Sequence, residues 1–121
     1  MRSESSERWI RGWVDDRPVV DTRSALLFWA EDFPVPNYAF DWADTERDAF
    51  RPTDPPESSH RFYGPHGEVS QWFDVAVGER TLTHAAWTLA DLPDRVVVTW
   101  QPGVLDRWTE EDEEAIEHAR A

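Results

Sequence analysis

The sequence predicts one mainly β domain, built of antiparallel sheets and closed by a short C-terminal α-helix. Three observations carry that expectation. Short apolar or alternating runs recur along the chain, each bounded by Pro, Gly, Asp or Asn. The longest, "VSQWFDVAVGERTLTHAAWTL" at Val69 to Leu89, turns back on itself around a Gly-led pair. Thr109 reads as an N-cap, with Asp112 at the capping-box offset, an acidic first turn, and His118 and Arg120 near the far end, the charge order a helix dipole favours. A chain of 121 residues has room for one core. Residues 8–121 are assigned to it, and the small polar stretch 1–7 to a disordered end.

The elements follow in order. Trp9 to Val14 alternates as a strand, "DDRP" at Asp15 to Pro18 is a turn, and "VVDT" at Val19 to Thr22 is the returning strand. "ALLFWA" at Ala25 to Ala30 is too short for periodicity to separate a buried strand from a helical turn. Pro34 and Pro36 end it, and "NYAF" at Asn37 to Phe40 reads as another strand. Asp41 to Pro56 is acidic and proline-rich, a loop with one helical turn. "RVVVTW" at Arg95 to Trp100 is apolar on both faces, which marks a central strand.

Charge and composition exclude several functions. There are 25 acidic residues and 12 basic ones, a formal charge of −13, so phosphate backbones and anionic membrane surfaces are repelled and neither nucleic acid nor membrane is an expected partner. The chain has no cysteine, which removes disulfides and thiolate zinc sites and suits a reducing cytoplasm. Neither a metal nor a cofactor is expected, and a homodimer is allowed. Eight tryptophans are unusual in so short a chain; most are expected to fill the core, and the question is which of them line a ligand site instead.

The hairpin shows where some of them go. With Gly78 and Glu79 as the turn, Val77 pairs with Arg80, Val75 with Leu82, Phe73 with His84, Trp72 with Ala85 and Ser70 with Trp87. One face then carries Phe73, Val75, Val77, Leu82 and Ala86 toward a core. The other carries Ser70, Trp72, Asp74, Thr81, Thr83, Ala85 and Trp87, large rings among small and hydroxylated residues, as a ligand site needs. Asp74 is expected to bond across to Thr83.

"TRSALL", "PNYAF", "RPTD", "SQWFDV", "AAWTL" and "VVVTWQPGVLDRWTEEDE", in that order, resemble the microbial family called domain of unknown function 427, which also carries a nucleotidyltransferase label. The resemblance spans about residues 8–114. It implies a β-tent-like fold, antiparallel sheets meeting around an aromatic pocket. Trp72, Trp87, Trp100 and Tyr38 fall on family aromatic positions, and Glu31 falls within one residue of a family acid. His60 stands where the family has cysteine and Tyr63 where it has lysine. No P-loop or paired metal-binding carboxylates accompany the nucleotidyltransferase label.

"HRFYGPHG" at His60 to Gly67 is expected to form a lid, with glycine freedom at Gly64 and Gly67 limited by Pro65. His60, His66 and Glu68 match no zinc spacing, and His84 is expected on the core face. The reading is a domain that binds a small organic ligand through Trp72, Trp87, Trp100, Tyr38 and Tyr63. The alternatives are an enzyme using His60 or Glu31 as general acid or base, and a protein-interaction module with an exposed tryptophan face.

Overall fold

Eleven strands, all paired antiparallel, form two sheets in the computed structural model, which describes residues 1–31 and 33–111 and the backbone of 113–114. The strands are β1 (Arg2–Ser5), β2 (Ile10–Val14), β3 (Arg17–Thr22), β4 (Leu26–Trp29), β5 (Asn37–Asp41), β6 (Phe50–Thr53), β7 (Val69–Val77), β8 (Arg80–Leu89), β9 (Leu92–Val98), β10 (Arg107–Glu110) and β11 (Glu113–Glu114). The larger sheet runs β1-β4-β5-β9-β8-β7-β6 and the smaller β11-β10-β2-β3. No helix among the described residues is long and apolar enough to cross a membrane.

Local chemistry sets the hairpins. Asp15 and Asp16 both take positive φ, 48° and 63°, as a two-residue turn between twisted strands requires, and Asp tolerates this better than most residues. Gly78 turns β7 into β8 at φ 59°, and Val77 pairs with Arg80 and Val75 with Leu82, as the sequence predicts. Val96, Val97 and Val98 are all buried because β9 lies between β5 and β8 with both faces covered.

Alternation along the larger sheet sorts its apolar residues into two cores. Phe40, Phe73, Val75, Val96 and Val98 face the smaller sheet and meet Ile10, Val14, Val19, Val20, Leu105 and Trp108 there. Their neighbours Ala39, Trp72, Trp87 and Val97 point the other way and pack with Phe28 and Leu89. Gly12 lets the sheets close: a Cβ there would stand 3.0 Å from Leu105 Cδ1 and 3.3 Å from Trp108 Cε3. At the surface, Arg80 bridges Asp15 at 2.8 Å and Asp106 at 2.6 Å, tying two turns together. The Arg80 guanidinium, aided by the Asp15 amide, holds the Asp106 carboxyl below its usual range, although exposed pairs of this kind add little stability.

Four expectations need correction. Residues 1–7, expected to be disordered, include β1, which pairs along the otherwise open edge of β4; the Arg2 guanidinium lies 3.9 Å over the Trp29 ring. The 41–56 stretch holds two 3-10 turns, Trp42–Asp44 and Arg47–Ala49, and then a strand, β6, bonded to β7. The helix expected from Thr109 is absent among the described residues. Thr109 lies in β10, buried, and its hydroxyl accepts the Trp13 indole N–H at 3.1 Å instead of capping a helix; residue 112 and residues 115–121 lie outside the described residues. Pairing with β2 buries Trp108 and Thr109, which local helix signals cannot offset.

The fourth correction is the register of β7 and β8 beyond Leu82. Phe73 pairs with Ala86 and Trp72 with Trp87, because β8 holds two extra residues opposite Asp74. His84 takes φ 53° in this bulge, so it leaves the core face predicted for it. Asp74 accepts the His84 backbone N–H at 2.9 Å rather than bonding to Thr83, and the His84 ring donates Nε2–H to the Asp54 carbonyl at 2.8 Å. Ser70 meets Thr88, hydroxyl to hydroxyl at 2.8 Å, rather than Trp87.

Candidate functional site

The bulge and the 60–67 loop together build a cavity on the far face of the larger sheet. Trp72 and Trp87 stand directly opposite one another, ring centres 5.4 Å apart and tilted by 56°. They are buried, at 8% and 2% exposure. The displaced His84 sets its ring edge-on to Trp72 at 5.8 Å, making one wall of the site out of the irregular strand.

The loop is held from within. His60 Nδ1 accepts the backbone N–H of Phe62 at 3.0 Å and of Tyr63 at 3.1 Å. With Nδ1 accepting, Nε2 is the ring nitrogen left to donate. Gly64 N–H closes the turn onto the His60 carbonyl at 2.9 Å, and a Cβ at Gly64 would stand only 2.4 Å from that oxygen. His66 donates Nε2–H to the Phe62 carbonyl at 2.9 Å and stacks on Phe33, ring centres 3.7 Å apart. Trp100, just beyond the end of β9, meets Tyr63 edge-on at 5.0 Å and Phe62 at 6.2 Å, so the roof rests on its ring.

Under this roof lies a cavity of about 240 Å³. His60, Tyr63, Trp72, His84 and Trp87 line it, with the hydroxyls of Ser59 and Thr83 among the polar groups. No carboxylate or guanidinium appears among its described lining residues, in a chain that carries 25 acids. Tyr63 turns inward to this space, while Phe62 is 39% exposed.

The remaining predicted residues lie elsewhere. Trp100 and Tyr38 line a second cavity with Trp108 and Glu110. Glu31 is exposed on a third, beside His66 and Glu68, and does not reach the space that His60 lines. Among the described residues no three His, Asp or Glu side chains are grouped as metal ligands. Thr83 lines the first cavity from the face on which the alternation put it, whereas His84, Ser59 and Glu110 are the groups that the sequence did not assign to a site. For His84 the period-2 pattern pointed to the core, and only the bulge turns it into the site.

Tyr38 donates its hydroxyl to Glu110 at 3.2 Å. Burial first, and then the negative Glu110, push its ionisation up from 10.0 to about 12. The protonated phenol is therefore favoured in the fold. That contribution is full below pH 10 and is lost as pH rises toward 12. Melting temperatures measured across this window are expected to fall more steeply for the wild type than for Tyr38→Phe; parallel curves would contradict the linkage.

Compared with protein-family models and with curated proteins, the chain matches none. What fold and geometry define is a two-sheet antiparallel β domain with a roofed aromatic cavity that has no carboxylate or guanidinium among its described lining residues.

Proposed function

We propose that this protein binds a small, flat, uncharged organic molecule against the Trp72–Trp87 wall, beneath the 60–67 loop. One observation carries the reading: both indoles are covered, yet a cavity of about 240 Å³ remains against them with no formal charge among its described lining residues. Paired rings offer stacking surface, and the Ser59, Thr83 and His60 Nε2–H groups offer hydrogen bonds at the rim. The volume suits a ligand of one or two rings, below the usual range for larger organic ligands.

The resemblance to domain of unknown function 427 supports the same reading, and a β-tent-like description of the two sheets is part of this proposal. So is a cytoplasmic setting, which the cysteine-free composition suits. Binding is favoured over acid–base catalysis because His60 Nδ1 is occupied by the loop and Glu31 opens onto a different cavity. It is favoured over a protein-docking face because Trp72 and Trp87 are not presented to solvent.

A thermal-shift screen with indole, nicotinamide and benzamide tests the proposal. A binder at a hundred times its dissociation constant adds about 2.7 kcal/mol of stability. The shift is expected to shrink in Tyr63→Ala and in His84→Ala. A stabilising compound whose shift is unchanged in both variants binds elsewhere and rejects the site.

A further inference from the structure

A second cavity, of about 220 Å³, is walled in part by Trp100, the ring that also meets Tyr63 of the loop. Its lining is of a different kind. Leu27, Val35 and Pro36 supply aliphatic surface, Tyr38, Trp100 and Trp108 supply rings, and Glu110 supplies the single formal charge among its described lining residues. We infer that this cavity is a binding site for a small organic cation, an aryl- or alkylammonium, separate from the Trp72–Trp87 site.

Glu110 is held by long contacts that leave it short of donors. Its Oε1 accepts the Tyr38 hydroxyl at 3.2 Å and lies 3.4 Å from Arg8 Nε; its Oε2 accepts the Trp108 indole N–H at 3.3 Å. Charge-assisted bonds to a carboxylate are usually about 2.7–2.9 Å long, so all three contacts are stretched. Each carboxylate oxygen accepts about two bonds, which leaves Oε2 with room for one more donor. The Glu110 side chain is only 23% exposed, so water meets that need incompletely.

A carboxylate at the edge of a space walled by two indoles and a phenol is complementary to an ammonium group with an organic body. The ring faces attract the cation through their quadrupoles and the carboxylate takes the donor. The chain's charge of −13 draws cations toward the surface and repels anions. Arg8 is the competitor: half exposed and outside the cavity's described lining, it pairs with Glu110 Oε1, and a ligand's ammonium replaces part of what Arg8 now provides. This gives the proposal an expectation of opposite sign for two substitutions on one ion pair.

The test is calorimetric titration of the full chain with benzylammonium and with its neutral analogue, benzyl alcohol. Benzylammonium is expected to bind about tenfold or more tightly than the alcohol, with affinity falling as salt is raised. Glu110→Gln, which keeps the side-chain shape, is expected to remove the preference. Arg8→Ala, an exposed position with little bearing on folding, is expected to tighten benzylammonium binding several-fold. His84→Ala, which alters the first site at a residue outside the second cavity's lining, is expected to leave it unchanged. Equal binding of amine and alcohol overturns the inference. So does a preference that survives Glu110→Gln, or an Arg8→Ala protein that binds no better than the wild type. Loss of benzylammonium binding in His84→Ala moves the cation to the first cavity and overturns it as well.

Discussion

Trp108→Ala is expected to lower stability by about 3–5 kcal/mol, the range for removing a large aromatic from a close-packed core. Trp108 is 1% exposed and belongs to the cluster shared by both sheets. Its ring packs against Phe40 of the larger sheet at 6.0 Å, and its Cε3 lies where a side chain on Gly12 would begin. Neither β10 nor the short edge strand β11 can easily shift inward to refill the space, because β10 is fixed by four pairs to β2. Urea denaturation followed by far-ultraviolet dichroism measures the loss as a lower midpoint at constant slope. Trp100→Ala serves as comparison: that ring is only half-buried, against 1% exposure for Trp108, so its removal is expected to cost less. A loss below about 1 kcal/mol for Trp108→Ala would show that the two sheets are not joined through this ring.

Gly64→Ala is expected to remove ligand binding at the Trp72–Trp87 site while leaving the sheets folded. The added methyl would lie 2.4 Å from the His60 carbonyl oxygen, a backbone atom that cannot swing aside as a side chain can. The turn must therefore open, which breaks the Gly64 N–H bond to His60 and pulls Phe62 and Tyr63 from the His60 ring nitrogen. Three hydrogen bonds in one loop fail together, at a cost of about 1–3 kcal/mol. Tyr63 then loses its place against Trp100, and the roof over Trp72 and Trp87 lifts. Two measurements check this outcome. Acrylamide is expected to quench tryptophan fluorescence more strongly in the variant, since two covered indoles become accessible. Any compound found to stabilise the wild type is expected to bind at least about tenfold more weakly, which corresponds to about 1.4 kcal/mol. Unchanged quenching together with unchanged affinity would mean that the loop is not the roof of the site.

Much of the fold is legible in the chain because it depends on short-range chemistry. The Asp15–Asp16 and Gly78–Glu79 turns require residues that tolerate positive φ, and the sequence supplies Asp-Asp and Gly at those places. The three valines of β9 announce a strand covered on both faces, and Val96 to Val98 are buried. Trp72 and Trp87 fall on one face, and Phe73 and Leu82 pack with the opposite core, as the alternation predicts, even though the paired residues beyond Leu82 differ from those expected. The physical reason is parity. The bulge in β8 adds two residues, and a shift of two leaves every side chain outside it on its original face.

Tertiary structure alone decided the rest. No local pattern marks His84 for positive φ; that conformation is held by the Asp74 carboxylate and the Asp54 carbonyl, ten and thirty residues away in the chain. Thr109 and the acids after it carry a sound helix start, but β2 offers a partner strand and the core a place for Trp108, and long-range burial outweighs a capping preference of about 1 kcal/mol. β1 exists because β4 would otherwise end the sheet with an open edge. The aromatic residues predicted for a single pocket divide between two: Tyr63, Trp72 and Trp87 line one cavity, Tyr38 and Trp100 the other. Residue type and alternation thus determined the turns and the facing of the strands, whereas the bulge, the edge strands and the division of the site depend on contacts between residues far apart in sequence, which no local pattern encodes.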